Sequence, residues 1–569
     1  MEAVEDYIEE QRQIFRVQGL GVAVVQDGEV VLSRGFGERD TKRSVPVTAD
    51  TIFSIGSSTK AFTASLVGAL VDDGLLEWDK PVREYLPWFR MYDPIASELM
   101  TPRDLLCHRS GLPRHDFLWY NNQHASREDL IRRLPHLENS KTFREVWQYN
   151  NLMYLTAGYL SGELLGCSWE DAVQQRLLDP LGMTNTNFSV SESQKSDDFS
   201  LPYTEKDDEV IEIPFRPIDL VGPAGSINSS ITDMTKWVAA QVNGGMAGTT
   251  PVISPAALKE LHAPTMVMPE VQRQYDETYD SGYALGWFVA NYRGVKLVHH
   301  GGNIDGFSAL VSFLPSQNVG VVVLSNMNGT PFPTVATYRV LDEVLGLEPL
   351  PWGQRVKAQV DAVQSGAKEA KAHREAKSKD APPSHELADY TGDYRHAGYG
   401  SFAVSLVEDR LVPHYNDLDL TIEHRHYDVW DVGMQPSGDI ITISFGSDLE
   451  GNVATLTAVL EATVAPIIFE KQPERGLSDP AVLRRYEGTF AMGPATLVVT
   501  IGREGSLVAT ISGSVLELVP YEERTFAVKG HAGTKIEFVV ADDGSVEKVI
   551  APGAVFTPVS RDDEPGVGV

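Results

Sequence analysis

The sequence predicts an α/β (α+β) domain, an antiparallel sheet flanked by helices, followed by two small all-β barrel modules. Three observations carry this expectation. Strand-like segments stand at both ends of residues 1–350 with helical stretches between them, the pattern of a sheet whose terminal strands meet. A stretch rich in Ala, Lys, Glu and Gln runs from about Gln354 to Ser384, the composition of a linker. Beyond it the chain turns to short alternating segments separated by Gly and Asp, which is all-β patterning.

Taken in order, the chain opens with an amphipathic helix and then two apolar runs, Leu20 to Val25 and Val30 to Leu32, joined at Asp27-Gly28. Asp-Gly supplies the positive φ angles of a tight primed turn, so this is a β-hairpin. From Ala61 to Val71, Phe62, Leu66, Val67 and Leu70 recur at helical spacing. Strands return at Leu297-Val298 and across Gly320 to Leu324, and are expected to pair antiparallel with the first hairpin. Residues 351–385 form the charged, partly helical linker. Residues 386–475 and 476–569 form the two β-modules, because Leu387-Ala388-Asp389-Tyr390-Thr391-Gly392-Asp393-Tyr394 and Leu483-Arg484-Arg485-Tyr486-Glu487-Gly488-Thr489-Phe490 begin alike. One larger sandwich made from both would show the same pattern.

At 569 residues, 42% hydrophobic and 22% charged, the composition is that of a multidomain water-soluble protein. The 79 acidic against 48 basic residues leave a formal charge of -31, which opposes binding to nucleic acid or an anionic membrane surface. The 2 cysteines, Cys107 and Cys167, do not make a disulfide framework. The amino terminus lacks a basic region followed by an apolar one, and no window is apolar enough to span a bilayer. The expected location is therefore cytoplasmic.

The chemistry concentrates in three places. Ser57-Ser58-Thr59-Lys60 follows strand-like Thr51 to Gly56 and opens the apolar helix. Residues three apart share a helix face, so the Lys60 amine reaches the Ser57 hydroxyl. A buried lysine loses its proton near neutral pH and then serves as base toward the hydroxyl, while the helix start offers backbone donors to an oxyanion. Such a spacing arises by chance about once in a chain this long. Ser365-Gly366-Ala367-Lys368 repeats it in the linker and is read as coincidence.

Tyr149-Asn150-Asn151 precedes the apolar run Leu152 to Leu160. Tyr149 can relay a proton to a leaving group, and Asn151 can hold both Lys60 and a substrate amide. A packed tyrosine beside a helix-capping asparagine would look the same. Tyr120-Asn121-Asn122 has the same letters but stands in a polar loop. The third place is His299-His300-Gly301-Gly302-Asn303-Ile304-Asp305-Gly306. Adjacent histidines on a strand point to opposite faces and no Cys or carboxylate stands at ligand spacing, so no catalytic metal is read here. No cofactor is implied.

The order Ser57-x-x-Lys60, Tyr149-x-Asn151, His300-Gly301-Gly302 resembles the three motifs of the penicillin-recognising serine hydrolases and class C β-lactamases. Met100 to Leu112 and Tyr283-Ala284-Leu285-Gly286-Trp287 are similar to the same family, and the likeness covers roughly residues 8 to 345. The resemblance implies a β-lactamase/transpeptidase-like catalytic domain. In it Ser57 is the acylated nucleophile, Lys60 its base, Tyr149 the proton relay and Asn151 the substrate-amide contact. His300, or His299 if the register shifts by one residue, takes the place of the third-motif lysine or histidine, with Gly302 beside the substrate and the oxyanion hole formed by the amides of Ser57 and Asn303. Gly301 lacks the hydroxyl that grips a substrate carboxylate in many relatives. Together with the β-modules, similar to lipocalin-like domains, this resembles the D-aminopeptidases. The implied activity is covalent acyl transfer on peptides or amides containing D-residues. Carboxylesterase or weak β-lactamase activity is the alternative, and a catalytically silent binding protein the remote one. The implied partner is a small peptide, amide or ester, with assembly as a homo-oligomer compatible with the family.

Overall fold

The computed structural model describes residues 1–268, 275–376, 381–434, 439–473, 476–503, 505–531 and 534–559. The chain divides into two compact units, Met1–Ser378 with Ala397–Tyr399 and Leu460–Ala465, and the remainder from Lys379 to Val569. Each is described by itself.

The first unit is built on a nine-stranded antiparallel sheet. Its strands are β1 (Gly19–Gln26), β2 (Glu29–Asp40), β3 (Val45–Pro46), β4 (Met266–Val267), β5 (Thr278–Tyr283), β6 (Phe288–Tyr292), β7 (Val295–Ile304), β8 (Phe307–Leu314) and β9 (Val319–Ser325), in the order β4-β5-β6-β7-β8-β9-β1-β2-β3. The ends of the segment meet as expected, β1 lying antiparallel to β9 with Val22 opposite Val323. The first hairpin turns at Asp27 and Gly28, whose φ angles of 52° and 85° are those of a primed turn.

β1 is buried on both faces, because helices cover both. Helix α1 (Glu2–Ile14) and a later helix over Phe332–Val344 share one core with Val22, Val24, Val321 and Val323. Between β3 and β4 the chain forms a helical region. Helix α2 (Lys60–Asp72) is buried from Lys60 to Leu70 and has almost no polar face, so it runs through the interior of the unit. Phe62 stacks on Trp237 with centroids 3.8 Å apart, a pair worth ~1 kcal/mol beyond its buried area. Helix α3 (Asn151–Leu165) is buried along most of its length and ends at Gly166, whose φ of 69° is the left-handed stop that glycine permits.

Helix α4 (Phe332–Val344) is followed by α5 (Trp352–Ala376). Trp352 anchors α5, its indole N–H donating to Asp342 Oδ2 at 2.9 Å, whereas residues 361–370 are exposed on every side. The segment expected to be a partly helical linker is thus helical to Ala376.

In the second unit, strands between Gly392 and Lys471 form a nine-stranded antiparallel sheet in which the first strand pairs with the last, Tyr394 opposite Lys471. Its free ends are the two-residue strand Leu418–Asp419 and the strand Thr421–His426, so the expected barrel is nearly closed. Strands between Gly488 and Pro558 close an eight-stranded barrel, Phe490 meeting Pro558. The paired sequence beginnings mark the same device in both. A 3-10 turn, Leu387–Tyr390 or Arg484–Tyr486, buries its tyrosine under the strands that start at Gly392 and Gly488.

Candidate active site

The site forms where α2, α3 and β7 converge. Gly56, at φ 51°, turns the chain sharply into a 3-10 turn, Gly56–Thr59, that runs straight into α2. Ser57 is half-buried at this turn and Lys60 follows one helical turn later. Two hydrogen bonds hold the turn in place. Ser58 Oγ donates to the His300 carbonyl at 3.0 Å, and the Ile227 amide donates to Thr59 Oγ1 at 3.2 Å.

The Lys60 side chain is 0% exposed. Its Nζ lies 3.0 Å from Ser57 Oγ, 2.8 Å from Asn151 Oδ1 and 2.8 Å from the Ala224 carbonyl. Burial holds this amine well below the ordinary lysine range; the Arg114 guanidinium adds to the effect and Asp116 opposes it. The partners show what the neutral form does. Asn151 Oδ1 and the Ala224 carbonyl can only accept, so they take the two N–H groups of a neutral amine. The lone pair is then left facing the third partner, and the Ser57 hydroxyl can donate to it.

Asn151 opens α3 behind the cap Asn150, whose Oδ1 accepts from the Met153 amide at 3.0 Å. Asn151 Nδ2 donates to Asp116 Oδ1 at 2.9 Å, which fixes the amide orientation and aims its oxygen at Lys60. Asp116 also accepts from Trp119 Nε1 at 2.9 Å and from Arg114 Nε at 2.6 Å. Tyr149 stands immediately before the cap, with Lys60 Nζ 4.7 Å and the Arg114 guanidinium 5.0 Å from its ring centroid. Burial pushes the Tyr149 phenol up, against a hydrogen bond with Ser57 that draws it down.

On β7 the two histidines separate by strand alternation. His300 is 1% exposed and its ring centre is 6.3 Å from that of Tyr149. His299 stacks instead on Phe288 at 5.4 Å. Burial drives the His300 imidazole down to about 3, and the nearby Lys60 adds to this. A neutral ring has one donor and one acceptor. Its Nδ1 lies 2.6 Å from the Gly301 carbonyl, which must accept, so Nε2 accepts from the Tyr283 hydroxyl at 2.9 Å.

Gly302 shows why the strand can lie against the nucleophile turn. A Cβ there would stand 1.8 Å from the Ile55 carbonyl oxygen and 3.0 Å from the Ser57 amide nitrogen. Asn303 passes close to the same turn, its amide nitrogen 2.7 Å from where a Cβ on Gly56 would be, and its Oδ1 accepts from Ser308 Oγ at 2.7 Å. The ladder between β6 and β7 ends at Phe288 opposite His299, while β8 continues to pair as far as Ile304. Residues 300–304 therefore keep one edge that no described strand fills.

The structure brings together all of Ser57, Lys60, Tyr149, Asn151, His300, Gly302 and Asn303. Sequence reasoning missed Arg114, Asp116, Ala224 and the role of Tyr283 as partner of His300. The triplet Tyr120-Asn121-Asn122, set aside as a rival, also stands near β7. Tyr120 donates to both Asp305 oxygens, at 3.0 and 2.8 Å, and Arg216 Nε donates to Asp305 Oδ2 at 2.7 Å. Ser365 and Lys368 lie on the exposed stretch of α5. Among the described residues no three His, Cys, Asp or Glu side chains are grouped to hold a metal, and no helix is long and apolar enough to cross a membrane.

A model of the family described as Beta-lactamase matches residues 4–345, and one described as a domain of unknown function, DUF3471, matches residues 376–471. The chain is 30% identical over 437 residues to an unguisins hydrolase of Aspergillus campestris (strain IBT 28561), covering 72% of this chain and 78% of that protein. Among solved structures it is similar to an octameric penicillin-binding protein homologue from Pyrococcus abyssi, with TM-score 0.55, 22% identity and coverage of 82% and 99% of the two chains. It is also similar to the D-amino acid amidase of Ochrobactrum anthropi SV3, with TM-score 0.50, 20% identity and coverage of 64% and 100%.

Proposed function

Since the chain belongs to the β-lactamase family and is a serine hydrolase, we propose that it hydrolyses amide bonds of small peptides through an acyl-enzyme on Ser57, with D-amino-acid-type substrates favoured. The observation that carries this reading is the environment of Lys60. Two obligate acceptors and a depressed amine pKa leave its lone pair for the Ser57 hydroxyl.

In the first half-reaction Ser57 Oγ attacks the substrate carbonyl carbon and its proton passes to Lys60 Nζ. The carbonyl oxygen becomes an oxyanion, for which the amides of Ser57 and Asn303 are the proposed donors. Tyr149, hydrogen-bonded to Ser57 and close to Lys60, hands its proton to the departing amine as the C–N bond breaks and takes in exchange the proton that Lys60 received from Ser57. Water then attacks the ester in the reverse sense and frees Ser57. The second Nδ2 hydrogen of Asn151, beyond the one given to Asp116, is available to a substrate carbonyl. An extended substrate backbone can add along the unfilled edge of β7, where Gly302 leaves no side chain in the way. His300, neutral and hydrogen-bonded to Tyr283 and Gly301, positions the wall behind Tyr149 and does not exchange a proton.

The amide reading is supported by the D-amino acid amidase among proteins of this fold. Hydrolysis of D- and L-alanine p-nitroanilides and of p-nitrophenyl butyrate by the wild type and Ser57→Ala tests it. Cleavage of the D-anilide that disappears in Ser57→Ala is the expected result. Cleavage of the ester alone would replace the amidase reading with an esterase one.

A further inference from the structure

A cavity of about 210 Å³ lies on the face of β7 opposite to the catalytic cluster, between β6, β7, β8 and α4, walled by Phe288, Gly301, Leu310, Ser312, Thr337 and Tyr338. Its volume is that of about seven water molecules, enough for an aromatic or branched aliphatic side chain. Three features point to a ligand.

The first is polar. Ser312 Oγ and Thr337 Oγ1 are buried and have no hydrogen-bond partner among the described residues, and both residues are 0% exposed. A buried hydroxyl without a partner is costly, and two of them in the wall of one cavity are donors and acceptors that an occupant can use.

The second is Gly301. A Cβ at this position would meet nothing closer than the Ala309 carbonyl oxygen at 3.6 Å, so the backbone does not require glycine there. Gly302, by contrast, has no room for a Cβ at all. A side chain on residue 301 would simply occupy part of the cavity, and its absence leaves that space open.

The third is position. Phe288 lines the cavity, and its ring is also 5.3 Å from that of His300 and 4.8 Å from that of Tyr283. One aromatic ring and one strand separate the cavity from the catalytic cluster. The wall contains no Lys, Arg, Asp or Glu, and its one imidazole is that of His299, which stacks on Phe288.

We propose that this cavity is a substrate subsite that takes a compact, neutral side chain, apolar or aromatic with a hydrogen-bonding atom such as a phenol or amide, through Ser312 and Thr337. The proposal rests on the hydrolase reading above and deepens it, since it names the chemistry of one substrate position.

The test uses the full chain, Gly301→Val and Thr337→Val, with melting temperature as the control for folding. Two substrate series are compared. Aminoacyl p-nitroanilides carry Ala, Leu or Phe on the acyl side, and D-alanyl amides carry methylamine, isobutylamine or phenethylamine on the leaving side. In one series the wild type should prefer the large member, and Gly301→Val should cut the large-to-small ratio of kcat/KM about tenfold or more; the responding series tells which side of the scissile bond the cavity serves. Unchanged ratios in both series would overturn the proposal.

Should the wild type cleave neither series, the amidase reading fails on its own, and binding decides the fate of the cavity. Benzyl alcohol, followed by ligand-observed NMR, should bind the wild type and lose binding in Gly301→Val. Equal binding to both, or binding to neither, overturns the subsite. Should Gly301→Val fail to fold, the nearly isosteric Thr337→Val replaces it, with preferential loss of benzyl alcohol over toluene expected and equal loss of both contradicting the proposal.

Discussion

Two Ser-x-x-Lys stretches of this chain, at Ser57 and at Ser365, run along helical backbone that brings hydroxyl and amine to one face. Around the first, Lys60 is fully buried and hydrogen-bonded to Ser57, Asn151 and the Ala224 carbonyl. Around the second, α5 is exposed on every side, and water solvates whatever Lys368 carries. The spacing supplies proximity in both places. Only burial and two obligate acceptors turn the amine into a base, and these come from α3 and from a distant helical turn, Gly222–Gly225. The same lesson holds for Tyr149-Asn150-Asn151 and Tyr120-Asn121-Asn122. One triplet caps a buried helix beside Lys60, while in the other Tyr120 reaches Asp305 from a turn in which Asn121 has a φ of 56°.

The comparison breaks most visibly at the serines. Ser57→Ala should lower hydrolysis by about 10⁴-fold or more and abolish labelling by a serine-directed fluorophosphonate. Ser365→Ala should leave both within about twofold. Labelling that survives Ser57→Ala would remove the distinction between the two stretches.

A smaller contrast is expected at the tyrosines. Tyr149→Phe removes the proposed proton relay and should slow amide cleavage by about 10²-fold, with p-nitrophenyl esters less affected because their leaving group needs little protonation. Tyr120→Phe removes only hydrogen bonds to Asp305, and a change of a few fold is expected, read as kcat/KM on the same amides. Equal losses for the two variants would deny Tyr149 its special place.

The smallest effect is a shift in pH dependence. The reactive form of Lys60 is the neutral amine, so the acylation rate should rise with pH as the proton leaves. Arg114 helps to hold that pKa down and Asp116 works the other way. Arg114→Gln removes the first influence and leaves the second unbalanced, so the Lys60 pKa rises and the limb moves to higher pH. Stopped-flow acylation profiles would show it, and a limb that stays in place or moves down would contradict the electrostatic assignment.

Much of this was legible in the sequence, for reasons local to particular residues. Asp27-Gly28 announces its turn, the apolar run from Ala61 announces a buried helix, and Asn150 announces its start. The burial of Lys60 followed from that helix having almost no polar face. What could not be read were partners set by loops without periodicity. Arg114 and Asp116 flank His115, which has a φ of 46°, and Ala224 contributes only a backbone carbonyl. The choice of His300 over His299 depends on the pairing register of β7, which sequence alone leaves open by one residue. The exposed helix through residues 361–370 was expected only as a partly helical linker, since its charged composition shows no apolar face to bury.

Activation of Ser57 by Lys60 is tested by the site and rate of covalent labelling. The full chain and Lys60→Met would be treated with a fluorophosphonate, digested and mapped by mass spectrometry. One adduct is expected, on the peptide carrying Ser57, formed about 10²-fold or more slowly in Lys60→Met. An adduct on another serine, or labelling of Lys60→Met at the wild-type rate, would contradict it.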